Sequence, residues 1–426
     1  MPTISAPRAV VDGRLTGPVT VTVDGGVIRD VHLGDPSYDA SPARSANGAP
    51  SNGAPADTGQ PDIVLPDGVL TAGLVDIQTN GAFGVDFSAA DDLGWDRVAA
   101  ALPATGVTSF QPTFITAPLG SLISGLRTAI DARERQQGPD IGYRGSARIM
   151  GVHLEGPFLS PVRHGVHEQR FLVEPTPEAI DRLLAAAGRE ILTMVTLAPE
   201  LPGALDAIRR LTNAGIRVSV GHTDATAQQI TAAADAGATL VTHIFNAQRG
   251  LAHREPGVPG ATMADRRFYC GLIADLHHVV AEICALVWRG ARGRVVLVTD
   301  AIAAAGMPPG EYELSGIPVV LSEDGVPRNA DGTIAGSALT LDQAVRNMLS
   351  LGLPTAAVVE AASRVPADAL GRTDLGRIAV GARADLVWWS DDFHPRRTWV
   401  DGREAQTPAT AAVLPAARES SLAVSP

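Results

Sequence analysis

Eight short aliphatic runs between Leu74 and Asp300 each end at or near a residue able to bind a metal or carry a proton. They occupy residues 74–80, 107–111, 149–155, 192–200, 218–222, 240–243, 270–275 and 295–300, and they end on Gln78 and Asn80, Gln111, Glu155, Glu200, His222, His243, Asp275 and Asp300. Continuous apolar character suits strands buried on both faces, and most gaps between the runs have helical periodicity, as a parallel sheet requires. Eight such units in about 230 residues predict a (β/α)8 barrel, whose chemistry sits at the carboxyl ends of its strands. The polar residues fall at those ends.

The chain has 426 residues, 45% of them hydrophobic, enough for a barrel and a smaller domain. Its formal charge of −12 argues against a nucleic-acid or anionic-membrane surface, which needs clustered positive charge. An anionic substrate must then be held by a few local Arg or His residues. Only Cys270 and Cys284 occur, so no disulfide framework is expected. There is no secretory leader pattern and no run of ~18 uncharged apolar residues, so the expectation is a cytoplasmic, soluble protein. Lysine is absent and every basic residue is arginine. That excludes a P-loop, a side-chain Schiff base and a metal pair bridged by a modified lysine.

Residues 8–34 alternate as a hairpin, with Val19, Val21 and Val23 on one face and an Asp24-Gly25-Gly26 turn. Two amphipathic helices are expected near 340–351 and 354–363, followed by strands within 376–389 and 398–402. The simplest assembly pairs these strands with the hairpin, giving a small β-sandwich domain from residues 1–70 and 375–405 beside a barrel over 71–374. Residues 35–62 are rich in Ala, Ser, Pro, Gly, Asn and Asp and read as a disordered insertion, and 406–426 as a disordered tail.

Barrel closure would bring Glu155, His222 and His243 around one mouth, where two imidazoles and a carboxylate suit Zn²⁺ or a similar divalent ion with one position open for water. Taken alone, each histidine could equally serve a hydrogen-bonded structural role. Asp300 is placed to take a proton from water and pass it to a leaving group, with turn capping as its structural alternative. His278 could orient or polarise a substrate carbonyl, and His277 competes for that role. Gln78 and Asn80 are poor zinc ligands and are expected to hydrogen-bond water or substrate, or to satisfy strand ends. His153 should face the same way as Glu155, one layer deeper, as a core histidine or a partner of the ligands. Arg254 and the loop Arg163-His-Gly-Val-His167 are candidate anion-binding elements.

These residues resemble the N-acetylglucosamine-6-phosphate deacetylases of the amidohydrolase superfamily. The resemblance runs through Gly73-Leu-Val-Asp-Ile-Gln-Thr-Asn-Gly81, His153-Leu-Glu-Gly-Pro-Phe158, Gly221-His-Thr-Asp-Ala-Thr226, Thr242-His-Ile-Phe-Asn-Ala247, Arg254-Glu-Pro-Gly257, Leu297-Val-Thr-Asp-Ala301 and Gly336-Ser-Ala-Leu-Thr340. It implies hydrolysis of an N-acetyl amino-sugar phosphate to the amine and acetate, in amino-sugar catabolism. It further implies one divalent ion per subunit on Glu155, His222 and His243, with Zn²⁺ expected and Fe²⁺, Co²⁺ or Mn²⁺ as alternatives. Asp300 would be the general base and acid, His278 would contact substrate near the scissile amide, and Asn246 and Ala247 would line the sugar site. Arg254 and His167 would be the phosphate contacts, some of them supplied across a homodimer interface. The segment Asp275-Leu-His-His278 departs from the family's Asp-Gly-x-His, and the insertion at 35–62 is unusual. Two other readings are an amidohydrolase acting on another amide and a catalytically silent barrel that binds a sugar phosphate.

Overall fold

The computed structural model describes residues 1–34, 61–138, 145–187 and 190–406. The insertion expected at 35–62 and the tail expected at 406–426 therefore lie outside the described residues, apart from 61, 62 and 406. Eight parallel strands follow one another: β1 (Leu74–Thr79), β2 (Val107–Ile115), β3 (Val152–Glu155), β4 (Leu192–Leu197), β5 (Arg217–Val220), β6 (Leu240–Val241), β7 (Tyr269–Ile273) and β8 (Val295–Val298). Each pairs with the next in sequence order from β1 to β8. The ring closes more thinly. β1 and β8 meet through a bridge between Thr79 and Ala301, and the Asp300 N–H donates to the Gln78 carbonyl oxygen at 2.9 Å. Below that bridge the Thr299 hydroxyl donates to the buried Asp76 carboxylate at 2.6 Å, which ties the seam from inside.

Eight helices alternate with the strands: α1 (Asp92–Ala101), α2 (Leu119–Gln137), α3 (Pro177–Ala187), α4 (Ala204–Asn213), α5 (Ala227–Ala236), α6 (Gly257–Ala264), α7 (Ala281–Gly290) and α8 (Leu341–Ser350). The signals that start and face them are local. Thr226 and Gln229 form a reciprocal capping box at the start of α5, and Gly237 ends it in the left-handed conformation. In α4 the buried positions Ala204, Ala207, Ile208 and Leu211 recur at helical spacing, so one stripe faces the strands. Leu211 is fully buried, and its removal from water contributes about 2 kcal/mol.

The strand expected at 107–111 runs on to Ile115 despite Pro112. The pairing of β2 with β1 skips between Phe110 and Pro112, and such an irregularity is where a strand tolerates a residue without an N–H. Between β8 and α8 lies a small antiparallel sheet of Gly310–Leu314, Ile317–Leu321 and Pro327–Arg328, which sequence reading did not anticipate. It packs Leu314, Val319 and Leu321 on Ile115 and Ile302 and becomes one wall of the mouth.

The two chain ends form two further sheets around a separate apolar core that includes Ile4, Val21, Ile28, Leu70, Leu386 and Trp399. The hairpin Val19–Asp24 and Val27–Leu33 lies in a four-stranded sheet. As expected, the C-terminal segment meets the hairpin, where Arg383 bridges Val27 and the Ile28 N–H donates to the Ala382 carbonyl oxygen, but the strands Leu386–Trp389 and Pro395–Val400 lie in another sheet. They join Val69–Ala72 and Ala9–Val11 in a six-stranded sheet. Where these sheets meet the barrel, the Arg148 guanidinium bonds Asp385 at 2.9 Å and Asp401 at 2.8 Å.

Candidate metal centre and active site

Glu155 is the last residue of β3, whereas His222, His243 and Asp300 each stand two residues past the end of β5, β6 and β8. All three have left-handed backbones, with φ of 47°, 26° and 49°. This conformation is uncommon for residues other than glycine, and its recurrence at three strand ends turns each side chain inward at the same height. Gly221 makes room beside His222, because a Cβ there would stand 2.7 Å from that of Thr242.

Glu155 Oε1 lies 3.1 Å from His222 Nε2 and 2.8 Å from His243 Nε2, and the two Nε2 atoms are 3.2 Å apart. Bonds of about 2.0–2.1 Å to one tetrahedral ion place ligand atoms roughly 3.3 Å apart, so the triangle has the size an ion requires. A ring nitrogen of His167 also lies within 4.8 Å of the ligand atoms of Glu155 and His222.

Hydrogen bonding separates the histidines. His222 Nδ1 faces the Arg163 carbonyl oxygen at 3.0 Å, an acceptor only, so Nδ1 carries a proton and, in the neutral ring, the Nε2 lone pair faces Glu155. A lone pair and a carboxylate oxygen at that distance repel unless a cation lies between them. His167 is the reverse: its Nδ1 accepts the Thr116 N–H at 3.2 Å, so a neutral ring carries its proton on Nε2. Burial holds His167 well below its ordinary pKa, and the neighbouring His222 adds to this, so the ring is neutral. His167 is therefore a donor, while a neutral His222 offers a lone pair.

Electrostatics agree with a cation site. Burial would raise Glu155, but the adjacent His243 and His222 override it and hold the carboxyl well below its usual range. Burial opposes charge on His243 as well, yet Glu155 raises it to about 9. In the metal-free chain a proton thus occupies the place between these two residues that an ion would take. His243 Nδ1 and Asn80 Oδ1 are buried without a hydrogen-bond partner.

Asp300 faces this group. Burial and the Glu155 charge raise it to about 6. Asn80 Nδ2 donates to Asp300 Oδ1 at 2.8 Å, and Gln78 Nε2 donates both to Asp300 at 3.1 Å and to Glu155 Oε2 at 3.2 Å. The Gln78 amide nitrogen thus sits between two carboxylates and eases their repulsion. His153 is satisfied on both nitrogens, by Thr113 at 3.2 Å and Thr196 at 2.7 Å, and burial lowers it to about 4.

A cavity of about 340 Å³ opens above the triad, lined by Asn80, Glu155, Arg163, His167, His222, His243, Asn246, Ala247, His278 and Asp300. His278 is held by Asp275 at 2.6 Å on Nδ1, whereas His277 is exposed and does not line the cavity. Gln78 is buried behind the wall. Of the two expected phosphate contacts, His167 is buried among the ligands, whereas Arg254 is exposed and does not line the cavity of its own chain. Ile115, Leu314, Thr333 and Ile334 also line the wall and were not anticipated. A period-2 pattern around Ser315-Gly316 was the available signal for the sheet behind them.

Residues 69–405 match the amidohydrolase family. The chain is 41% identical over 335 residues to N-acetylgalactosamine-6-phosphate deacetylase of Escherichia coli O157:H7, covering 78% of this chain and 86% of that one. It is 37% identical over 333 residues to N-acetylglucosamine-6-phosphate deacetylase of Vibrio furnissii, covering 78% and 81%. The crystal structure of N-acetyl-D-glucosamine-6-phosphate deacetylase from Mycobacterium smegmatis superposes with a TM-score of 0.83 at 34% identity, covering 95% of this chain and 100% of that one. An aspartate-to-alanine mutant of that enzyme, in complex with N-acetyl-D-glucosamine-6-phosphate, superposes with a TM-score of 0.82. The chain belongs to the amidohydrolase family, whose members use metal ions, and within it to the N-acetylglucosamine-6-phosphate deacetylases.

Proposed function

We propose that this chain hydrolyses the acetamide of N-acetyl-D-glucosamine 6-phosphate to D-glucosamine 6-phosphate and acetate. The observation that carries this reading is the convergence of Glu155, His222 and His243 opposite Asp300 in one cavity, in a chain of that family. Those three residues hold one divalent ion, Zn²⁺ in this reading, with Fe²⁺, Co²⁺ or Mn²⁺ as alternatives. When bound, the ion supplies Lewis acidity and brings the pKa of water toward neutral. Asp300 accepts the proton of the attacking water and returns it to the departing amine, a task suited to a carboxyl raised toward neutral pH. His167 donates a hydrogen bond from its Nε2–H to the carbonyl oxygen as negative charge develops there. This differs from the phosphate role expected for it, and the reason is its hydrogen bond from Thr116 and its place beside the ligands. His278, oriented by Asp275, contacts the substrate near the scissile amide, and Asn246 and Ala247 line the sugar.

The protein acts as a cytoplasmic homodimer in this reading. The exposure of Arg254 fits an arginine that reaches the phosphate in the site of a second copy. Among the described residues no helix is long and apolar enough to cross a membrane.

The test is acetate release from N-acetylglucosamine 6-phosphate and from N-acetylglucosamine, before and after chelation and zinc restoration. Rapid, metal-dependent release from the phosphorylated sugar alone is expected, and no release by the metal-loaded protein refutes the reading. A second reading, the galactosamine epimer as preferred substrate, is favoured by the 41% identity to the Escherichia coli relative of that name. A higher kcat/KM for that epimer would establish it.

A further inference from the structure

Loop 160–167 carries two groups of the site at once. The Arg163 carbonyl oxygen accepts the His222 Nδ1 proton, and His167 is the donor beside the ligands. The loop lies directly on the His222 ring. At Gly165, where φ is +60°, a Cβ would stand 3.2 Å from His222 Cε1. Its near end is tied by the Ser160 N–H to the His222 carbonyl oxygen at 2.9 Å.

From the other side the loop is gripped by Asp224. One Asp224 oxygen accepts both Arg163 Nε at 2.9 Å and Nη2 at 2.8 Å. The other accepts Arg249 Nη2, and Arg249 Nε donates to the Asp224 carbonyl oxygen at 2.7 Å. The Asp224 N–H is fixed in turn on Glu200 Oε1 at 2.7 Å. Asp224 does not line the cavity and bonds none of Glu155, His222 or His243 through its side chain.

We propose that Asp224 is a positioning residue for the metal centre: by fixing Arg163 it holds the carbonyl that sets the tautomer and ring plane of His222, and with it the loop that presents His167. The physical reason lies in the two nitrogens of one ring. With the Nδ1 proton committed to a fixed carbonyl, the Nε2 lone pair has one direction, toward Glu155 and His243. If the carbonyl is free to move, the ring gains other tautomers and orientations, and the ligand is no longer prepared. This inference rests on the reading that Glu155, His222 and His243 bind a divalent ion.

The test uses full-length metal-free protein titrated with Co²⁺, reading affinity by competition with a chelator and ligand geometry by visible absorption. Asp224→Ala is expected to weaken Co²⁺ binding about 10- to 100-fold, the range for residues that orient ligands, and to alter the spectrum. Arg163→Ala should do the same, and the double variant should be no weaker than the weaker single one, because both break one link. If Asp224→Ala does not fold, Arg163→Ala carries the test, since it leaves the Asp224–Arg249 and Glu200 bonds in place. Wild-type affinity and spectrum in the folded variants overturn the clamp alone. Wild-type protein that binds no Co²⁺, matching a His222→Ala control, overturns the metal reading and the clamp with it.

Discussion

The barrel mouth and the seam between the barrel and the end sheets both bury charge, and they treat it in opposite ways. At the seam, Arg148 is bonded by Asp385, Asp401 and the Ser109 hydroxyl, and Asp385 also takes the Asp401 N–H. Opposite charges and complete hydrogen bonding offset the cost of leaving water. At the mouth, two carboxylates share the donors of one glutamine, two imidazole nitrogens meet at 3.2 Å, and two polar atoms have no partner. His222, His243 and Asp300 have left-handed backbones there as well. The seam is built for the empty protein. The mouth is arranged for something that arrives, an ion and a substrate, and it is less comfortable without them.

Substitutions at the two regions should therefore fail differently. Asp300→Asn is expected to lower turnover roughly 10³- to 10⁴-fold, the upper range for acid–base catalysis, with metal content retained. Its melting temperature should stay level or rise, because the repulsion from Glu155 is removed. A folded variant with unchanged turnover would take Asp300 out of the mechanism. At the seam, Asp385→Ala leaves Arg148 largely buried with a weakened partner set and should cost about 3–5 kcal/mol in denaturant unfolding. Turnover per folded molecule should not change. A loss of turnover without a loss of stability there would erase the distinction between the regions. The smallest expected effect is that of His167→Ala, about 10²- to 10³-fold in kcat, as for loss of one oxyanion donor, with metal affinity near wild type. Loss of the ion in this variant would make His167 a ligand instead.

The same contrast explains what the sequence disclosed. The strands were legible because each is buried on both faces, and the site residues because each ends its strand, as Glu155 does, or follows it at a short offset, as in Gly221-His222, Thr242-His243 and Thr299-Asp300. The tautomers were not legible. They depend on Thr116, 51 residues from His167, and on the Arg163 carbonyl, 59 residues from His222. The sheet at 310–328 escaped notice because the next element expected after β8 was the helix near 340–351, and the stretch between was given no element. The contact of the C-terminal segment with the hairpin was legible, but the strand order was not, because Val69–Ala72 takes the edge of Leu386–Trp389. Arg254 carries an anion-binding pattern in sequence, but its position in space is set by the exposed loop at 249–256.

The most direct measurement is anomalous diffraction from crystals of the zinc-loaded protein, collected on both sides of the zinc edge. The predicted result is one peak per subunit, about 2.0–2.2 Å from Glu155, His222 Nε2 and His243 Nε2, with His167 outside bonding distance. A peak ligated by His167 in place of His243, or no peak at this mouth in catalytically active crystals, would contradict the account.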